Sequence, residues 1–220
     1  MKNKRKITFY KRCNSQFSLL GLILCVTVLL LHFPSEVNAQ FYGWTPANSD
    51  GAKTITTSVK YDENRAQVTA ATNTSGTLYT LTLSNPTGLN LYSQILFSAD
   101  DWCLMVQMEH TASSGNKIGV NCGVKVISYT PDVGGTSATL NIDVFGSNSW
   151  PSFDFGTGSK VQILRVPAFS NVDLNPKGKI TCEPYNHDDG TGGIVAFFVS
   201  GTLNFNGGIV NVTGKGYLHG

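Results

Sequence analysis

The final thirty residues, 191–220, restrict the possible folds most, because short apolar runs alternate there with glycine-rich breaks. The runs are residues 194–199, 203–205 and 209–212, and the breaks are Ser200-Gly201, Asn206-Gly207-Gly208 and Thr213-Gly214-Lys215-Gly216. The runs are too short for a helix of ordinary length, and none repeats at helical spacing. Gly and Asn accept the positive φ angles of tight corners. The segment is therefore predicted to form short β-strands joined by corners.

An internal repeat precedes and includes this segment. Residues 172–182 and 203–212 share an alternating pair, an Asn, a Gly-containing corner and a second apolar run. The offset is 31 residues from Val172 to Leu203 and 29 residues from Ile180 to Ile209. Such self-similarity is typical of a β-solenoid, whose coils bury their apolar side against neighbouring coils. Two ordinary β-hairpins are the alternative interpretation.

Earlier residues also have a β pattern. In residues 76–84, Leu81 and Leu83 alternate with Thr80 and Thr82, so one face of this strand is apolar and the other polar. Similar short segments continue to Pro167. The predicted fold class is all-β. A sheet-rich, sandwich-like part, residues 40–167, is expected to lead into the first coils of a β-solenoid, residues 168–220.

Residues 1–39 have the pattern of a secretory signal peptide. Six basic residues between Lys2 and Arg12 precede a mainly apolar run, residues 17–33. Val37-Asn38-Ala39 then places small residues where a signal peptidase cleaves. The expected mature chain begins at Gln40 and is secreted or held at the cell surface, without a membrane span. An uncleaved membrane anchor is the alternative, since the apolar run is close to the shortest length that spans a bilayer.

Removal of this leader reverses the sign of the net charge. The whole chain carries +2, but residues 40–220 contain ten basic and thirteen acidic side chains, a formal charge of −3. A nucleic-acid-binding protein usually has a basic patch, and none occurs in the mature sequence. Nucleic acid is therefore excluded as the expected partner. Extracellular or cell-surface polysaccharides and proteins are the expected partners.

Three cysteines remain in the mature chain: Cys103, Cys122 and Cys182. In an exported protein, an odd number permits one disulfide with one free thiol, or three unpaired thiols. Cys103 and Cys122 are the candidate disulfide pair. Three buried thiols that pack as small apolar side chains are the alternative.

Few residues have the spacing of a catalytic or metal site. Asp188 and Asp189 are candidate calcium ligands, although their loop lacks the spaced acidic residues of a recognised calcium loop, and a solvated turn is the alternative. No Cys-x-x-Cys, His-Glu-x-x-His or Gly-x-Ser-x-Gly motif is present. The sequence thus predicts no catalytic residue, no cofactor and no enzymatic activity.

Five stretches resemble an N-terminal module of large surface proteins of gliding and Bacteroidetes-type bacteria. They are residues 101–108, residues 161–167 (VQILRVP), residues 192–196 (GGIVA), residues 200–206 (SGTLNFN) and residues 212–217 (VTGKGY). Trp102-Cys103 and Leu218-His219 depart from that pattern. The resemblance implies an adhesin-like or gliding-associated surface function. Because such proteins are much longer, it also implies that this chain is a fragment.

These observations predict an exported, non-catalytic, adhesin-like scaffold. One alternative is a carbohydrate-active enzyme built on a β-solenoid, with candidate residues Asp173, Glu183, Asp188 and Lys215. Another is a carbohydrate-binding module. For that module the candidate stacking surfaces are Trp44, Trp150 and Tyr217.

Overall fold

The computed structural model describes residues 50–84, 96–111, 117–132, 136–144 and 150–216. All of them lie in the second of two compact units of the chain, residues 42–220. The predicted signal peptide lies outside the described residues. In the described part of the chain there are fourteen β-strands and no helix, which confirms the all-β class. It follows that no helix in these ranges is long and apolar enough to cross a membrane.

Six strands form a closed antiparallel barrel in the order β3-β4-β7-β6-β5-β8, with β8 returning to β3. They are β3 (Arg65–Ser75), β4 (Leu78–Ser84), β5 (Trp102–Glu109), β6 (Asn121–Pro131), β7 (Ser137–Val144) and β8 (Lys160–Arg165). The predicted alternation in β4 is confirmed, because Leu81 and Leu83 are fully buried whereas Thr82 is exposed. Similar inward positions on the other strands, such as Leu140 and Ile163, complete the barrel core.

The barrel differs from the sandwich-like arrangement expected for this region. In a sandwich the sheet would have two open edges, but β8 pairs with both β3 and β5 and so closes the sheet on itself. The ladders carry four register shifts, at Val68/Ala70, Asn73/Ser75, Gln107/Glu109 and Val126/Ser128. Bulges of this kind bend a strand and increase its twist, which allows a short sheet to curl into a barrel.

The remaining eight strands pair in parallel and form what we call the stack. They are β1 (Ala52–Ile55), β2 (Ser58–Lys60), β9 (Ala168–Phe169), β10 (Asn171–Leu174), β11 (Lys179–Thr181), β12 (Phe198–Val199), β13 (Leu203–Asn204) and β14 (Ile209–Val210). Three sheets result, with strand orders β1-β10-β13, β2-β11-β14 and β9-β12. We call residues 52–60 rung 1, residues 168–181 rung 2 and residues 198–210 rung 3.

The chain enters the stack twice. Rung 1 comes before the barrel, whereas rungs 2 and 3 follow it, so the barrel is inserted between β2 and β9. After the barrel, β8 ends at Arg165 and β9 of the stack begins at Ala168. The pairing of rung 1 with rung 2 joins residues more than 100 positions apart, such as Ala52 and Asn171. Local sequence patterns do not reveal such a pairing.

The register between rungs 2 and 3 corrects the predicted repeat by one residue. Val172 pairs with Leu203, which confirms the offset of 31, but Ile180 pairs with Val210, an offset of 30 rather than 29. The corners have the same length, residues 175–178 in rung 2 and residues 205–208 in rung 3, but the strand before the corner is one residue shorter from Leu203 than from its partner Val172. This single residue matters, because a one-residue slip turns every side chain of a strand to the opposite face.

Candidate functional site

The end of the stack at rung 3 exposes side chains that are buried one rung earlier. In rung 2 and just after it, four positions that face the interior are 0% exposed: Val172, Leu174, Ile180 and Cys182. The pairing aligns Val172 with Leu203 and Ile180 with Val210, which are 37% and 42% exposed, and Phe205 and Val212, two residues further along the chain, are 46% and 44% exposed. We call these last four residues the end face. Exposed apolar surface commonly marks an interaction site.

Glycines at one corner of the stack explain how the rungs approach so closely. A Cβ added to Gly178 of rung 2 would overlap the carbonyl oxygen of Ile55 in rung 1. A Cβ added to Gly208 of rung 3 would lie 2.5 Å from the Cβ of Leu174 and 2.9 Å from the carbonyl oxygen of Gly178. These glycines therefore form a column in which a side chain has no room. Their role in this column is steric.

Asp50 and Arg165 connect rung 1 with the barrel. Arg165 donates from Nη2 to Asp50 Oδ1 at 2.7 Å and from Nε to Asp101 Oδ1 at 2.8 Å. The other carboxylate oxygen of Asp50 accepts a hydrogen bond from the backbone nitrogen of Ala168 at 2.8 Å. Asp50 therefore touches both the end of the barrel and the start of rung 2. Charged hydrogen bonds that are partly shielded from water are stronger than neutral ones, so this network stabilises the junction.

Asp62 forms a second connection, where the chain leaves rung 1. Its side chain is fully buried, and its two carboxylate oxygens accept the backbone nitrogen of Glu183 at 3.0 and 2.9 Å. Arg65 Nη1 lies 3.7 Å from Asp62 Oδ2 and also donates to the Asp62 carbonyl oxygen at 2.7 Å. Burial raises the pKa of Asp62, and the hydrogen bond from Glu183 acts in the opposite direction. This carboxylate joins rung 1 to the segment that follows rung 2.

A cavity of about 610 Å³ lies between rung 1 and the end of the barrel. Its wall combines side chains of both charges, such as Lys53 and Glu63, with the aromatic rings of Tyr61 and Phe169. The Tyr61 hydroxyl is buried and has no hydrogen-bond partner among the described residues. Burial raises the pKa of Tyr61 to about 12, and the nearby charge of Asp50 contributes. The cavity has the volume of a small-ligand site, but most of the residues that line it are polar or charged.

The two candidate calcium ligands point to different surroundings. Asp189 is 5% exposed, and its Oδ1 accepts hydrogen bonds from the backbone nitrogen and the hydroxyl of Thr191, both at 2.9 Å. Asp188 is exposed, and its carbonyl oxygen accepts a hydrogen bond from Lys160 at 3.2 Å. Within the described ranges, no three His, Cys, Asp or Glu side chains are grouped so as to hold a metal ion. The arrangement favours the interpretation of a hydrogen-bonded turn.

Cys103, Cys122 and Cys182 carry free thiols. Cys103 and Cys122 lie on the paired strands β5 and β6 but not opposite one another, because Cys103 pairs with Val124 and Cys122 with Met105. Burial raises the pKa of Cys122 to about 12 and raises that of Cys103 well above its ordinary value. Both thiols are therefore uncharged at neutral pH, as expected for small apolar packing groups.

Of the three candidate stacking residues, only Trp150 lies within the described residues. Its ring stacks on Tyr79 at a centroid distance of 4.0 Å and meets the edge of Phe153 at 5.5 Å. The residue is half-buried and packs against the barrel core. This packing favours a structural role for Trp150.

The four residues considered for an enzyme are held in separate interactions. Asp173 Oδ1 accepts a hydrogen bond from the Asn204 side chain at 2.6 Å, and Glu183 forms an ion pair with Lys60. Lys215 donates to the carbonyl oxygen of Cys182 at 2.5 Å, and Asp188 is held through its main chain as described above. The first three interactions join neighbouring rungs or the chain beside them.

Two histidine clusters near the barrel were not foreseen, because their members are far apart in sequence. Glu109 Oε1 accepts the Tyr185 hydroxyl at 2.7 Å and lies 2.7 Å from His187 Nδ1. In the second cluster, Asp154 Oδ2 accepts the Ser159 hydroxyl at 2.9 Å and lies 3.1 Å from His110 Nε2. The serine thus donates its proton to the carboxylate rather than to the imidazole, unlike a serine activated as a nucleophile.

Comparisons with known proteins add little to this geometry. No family model matches the chain, and no curated protein matches it. Among solved structures, it is similar to a siderophore-interacting protein from Acinetobacter baumannii with 10% sequence identity and a TM-score of 0.27. The match covers 67% of this chain and 65% of that one. A likeness this distant carries no argument about function.

Proposed function

We propose that the chain is an exported, non-catalytic surface protein in which the stack is the opening part of a β-solenoid. In this proposal the stack serves as a structural, adhesin-like scaffold that interacts with polysaccharides or proteins outside the cell. The barrel is an inserted module supported by rung 1 and rung 2. The leader pattern in residues 1–39 supports export.

The repeated parallel pairing of the rungs is the observation that carries the proposal. Corresponding residues of rungs 2 and 3 are 30 or 31 positions apart in all three sheets. Parallel strands in such a series, with glycines at a common corner, are the arrangement expected of solenoid coils. Each rung offers a surface for the next, which suits an elongated scaffold.

Side-chain contacts between the rungs support the same interpretation. Asn204 of rung 3 donates to Asp173 directly below it at 2.6 Å, and the Asn171 side chain accepts the backbone nitrogen of Thr202 at 2.8 Å. Thr181 donates to the carbonyl oxygen of Asn211 at 2.7 Å. Polar groups that are satisfied by a neighbouring rung favour a rigid stack.

Export is tested by expressing the full chain with a C-terminal epitope tag in a Gram-negative host. The proposal expects a processed product whose first residue is Gln40 and a tag that is found outside the inner membrane. Changing Ala39 to Arg, which removes the small residue at the cleavage site, should leave the leader attached. An unprocessed chain that stays in the cytoplasm would contradict export.

The scaffold role is tested by coupling the exported chain to fluorescent beads and measuring their retention on polysaccharide-coated and protein-coated surfaces. A Gly178→Ala variant, in which the added methyl group disrupts the rung corner, should lose retention together with the stack. A Gly216→Ala variant is the matched control, because its added Cβ meets no atom within 4 Å. Equal retention of all three proteins would show that adhesion does not require the stack.

A carbohydrate-binding module is the second candidate function, and the cavity favours it. Lys53 and Glu63 offer an ammonium group and a carboxylate beside aromatic rings, a combination that suits a polyhydroxylated ligand. The test is a glycan array with the exported chain and a Lys53→Ala, Glu63→Ala double variant. Binding that survives this variant but is lost in Trp150→Ala would place the site at the tryptophan instead.

A further inference from the structure

The corner of rung 3 contains Asn206-Gly207, the only Asn-Gly pair in the sequence. The corner is a four-residue turn, closed by a hydrogen bond from the nitrogen of Gly208 to the carbonyl oxygen of Phe205 at 2.8 Å. Gly207 has a φ of 87°, a conformation that glycine adopts without strain. Asn206 and Gly207 are both exposed. Solvent therefore reaches the peptide bond that joins them.

The reactive groups of this pair are not held by hydrogen bonds. The side chain of Asn206 and the backbone nitrogen of Gly207 make no hydrogen bond with the residues that the structure describes. By contrast, Asn204 Nδ2 donates to the rung below at 2.6 Å, and Asn211 Oδ1 accepts the backbone nitrogen two residues further on at 2.9 Å. The neighbouring asparagine side chains are thus restrained, whereas the amide of Asn206 can approach the nitrogen that follows it.

The corner of rung 2 shows that a further rung leaves a corner of this kind exposed. There the nitrogen of Gly178 donates to the carbonyl oxygen of Asn175 at 2.6 Å, so Pro176 and Lys177 occupy the two central places of the turn. Both are exposed although rung 3 stacks on rung 2. The exposure of the rung 3 corner therefore does not depend on what lies beyond rung 3. In rung 2 the asparagine precedes a proline, which has no N–H.

We propose that Asn206 is a site of spontaneous deamidation that loosens rung 3. The nitrogen of Gly207 attacks Cγ of Asn206, the bond from Cγ to the amide nitrogen breaks, and ammonia leaves with the proton that the attacking nitrogen gave up. Glycine has no side chain to obstruct this attack. Water then opens the five-membered succinimide at either carbonyl. The products are aspartate and isoaspartate, and in isoaspartate the main chain runs through Cγ and gains one carbon. Water is the only co-reactant.

The rung 3 corner has little room for a longer backbone. A Cβ added to Gly208 would lie 2.5 Å from the Cβ of Leu174 and 2.8 Å from the carbonyl oxygen of Asn175. A longer corner displaces β14 from its register with β11, in which Ile180 pairs with Val210. Residues 198–214 contain no charged side chain, so either product also places a first negative charge in rung 3. The inference does not depend on export or adhesion.

Incubation of the purified chain at mildly alkaline pH, followed by peptide mass spectrometry, tests the site. Asn206 should deamidate many-fold faster than Asn204 and Asn211, and labelling with an isoaspartyl methyltransferase should identify isoaspartate among the products. Asn206→Gln is the matched control, because glutamine keeps the amide but would have to close a larger ring, which is much slower. An Asn206 that stays intact while other asparagines react would overturn the proposal.

Hydrogen exchange tests the effect on the stack. Aged unmodified protein should lose protection in rung 3 and keep it in β4 and β7 of the barrel, whereas Asn206→Gln aged in the same way should keep both. Freshly prepared Asn206→Asp adds the charge without the extra carbon and should also keep both. Unchanged protection in the aged unmodified protein, or the same loss in aged Asn206→Gln or fresh Asn206→Asp, would contradict the lengthened corner as the cause.

Discussion

The barrel and the stack complete their cores in different ways. Every strand of the barrel has two hydrogen-bonded neighbours, and inward side chains such as Leu81, Leu140 and Ile163 are fully buried without help from outside. In the stack, burial depends on the presence of a further rung, so Val172 is fully buried while its partner Leu203, one rung later, is 37% exposed. A closed sheet has no unpaired edge, whereas each rung of a stack needs the next rung to bury its apolar side chains.

The two regions also differ in what limits their sequence. Barrel strands tolerate bulges, and the four register shifts are part of how the sheet closes. The stack allows no side chain at its glycine corner, where rungs touch through their backbones. Packing by side chains can adjust to a substitution, but contact between backbones cannot. The following predictions use this difference.

The largest expected effect is that of Gly178→Ala. The added methyl group overlaps the Ile55 carbonyl oxygen, and we expect the stack to lose about 3 kcal/mol of stability, at the upper end of the usual cost of overpacking. Hydrogen exchange measured by mass spectrometry should show lost protection in β10 and β11 and retained protection in β4 and β7. Gly216→Ala, with open space around its Cβ, should change neither region. Uniform loss of protection would show that barrel and stack unfold as one unit.

Truncating one leucine in each of two rungs sharpens the comparison within the stack. Leu174 is 0% exposed and Leu203 is 37% exposed. Leu174→Ala should cost about 3 kcal/mol, since it leaves a cavity in the core, whereas Leu203→Ala should cost about 1 kcal/mol or less. Urea denaturation of the two variants measures the difference. Equal costs at low protein concentration would mean that rung 3 is covered within the single molecule.

Arg165 tests how the two regions are coupled. Arg165→Met removes the hydrogen bonds to Asp50 and Asp101 and leaves two partly buried carboxylates without their partner. We expect a loss of about 2 kcal/mol, less than for a fully buried ion pair because the side chain keeps some contact with water. Lys125→Met, which breaks a more exposed pair with Asp100, should cost about 0.5 kcal/mol. Separate unfolding transitions for barrel and stack in the Arg165 variant would identify this network as the coupling.

Much of the stack could be predicted from local sequence, because its strands and corners are short and consecutive. All three apolar runs of residues 194–212 contain a strand, although the first is a strand only at Phe198–Val199. The predicted offset failed at Ile180, since the strand before the corner is one residue shorter in rung 3 and the alternation alone does not say which neighbouring position faces inward. Register is decided by the pairing across rungs, which a single strand does not contain.

Barrel closure and the candidate sites could not be predicted in the same way. The pairing of β8 with both β3 and β5 joins segments about 50 to 100 residues apart, and no local pattern specifies it. Asp50, Asp62 and Arg165 appear in sequence as ordinary surface charges, but the fold places them at the junction of barrel and stack. The end face was foreseeable as an apolar run. Only the register between the rungs identified the exposed residues.

The smallest expected effect concerns alkaline pH and separates the barrel thiols from other ionising groups. The folded pKa of Cys122 is about 12, above its ordinary value of 9.0, because of burial. Below pH 9 the thiol is protonated in both the folded and unfolded states, so stability is unaffected. As pH rises from 9 towards 12, the unfolded state releases this proton first, and stability falls by at most about 1.4 kcal/mol per pH unit for this thiol.

Cys122→Ala removes this contribution while keeping the tyrosines and lysines that also titrate in this range. Guanidinium denaturation at pH 8 and pH 10 gives, for each protein, the loss in its free energy of unfolding between the two pH values. This loss should be smaller in the variant than in the unmodified protein. Cys103 continues to contribute in both proteins, because its pKa is also raised by burial in the barrel. An identical loss in the two proteins would mean that water reaches Cys122, and that the closed barrel shields its thiols no better than an open sheet.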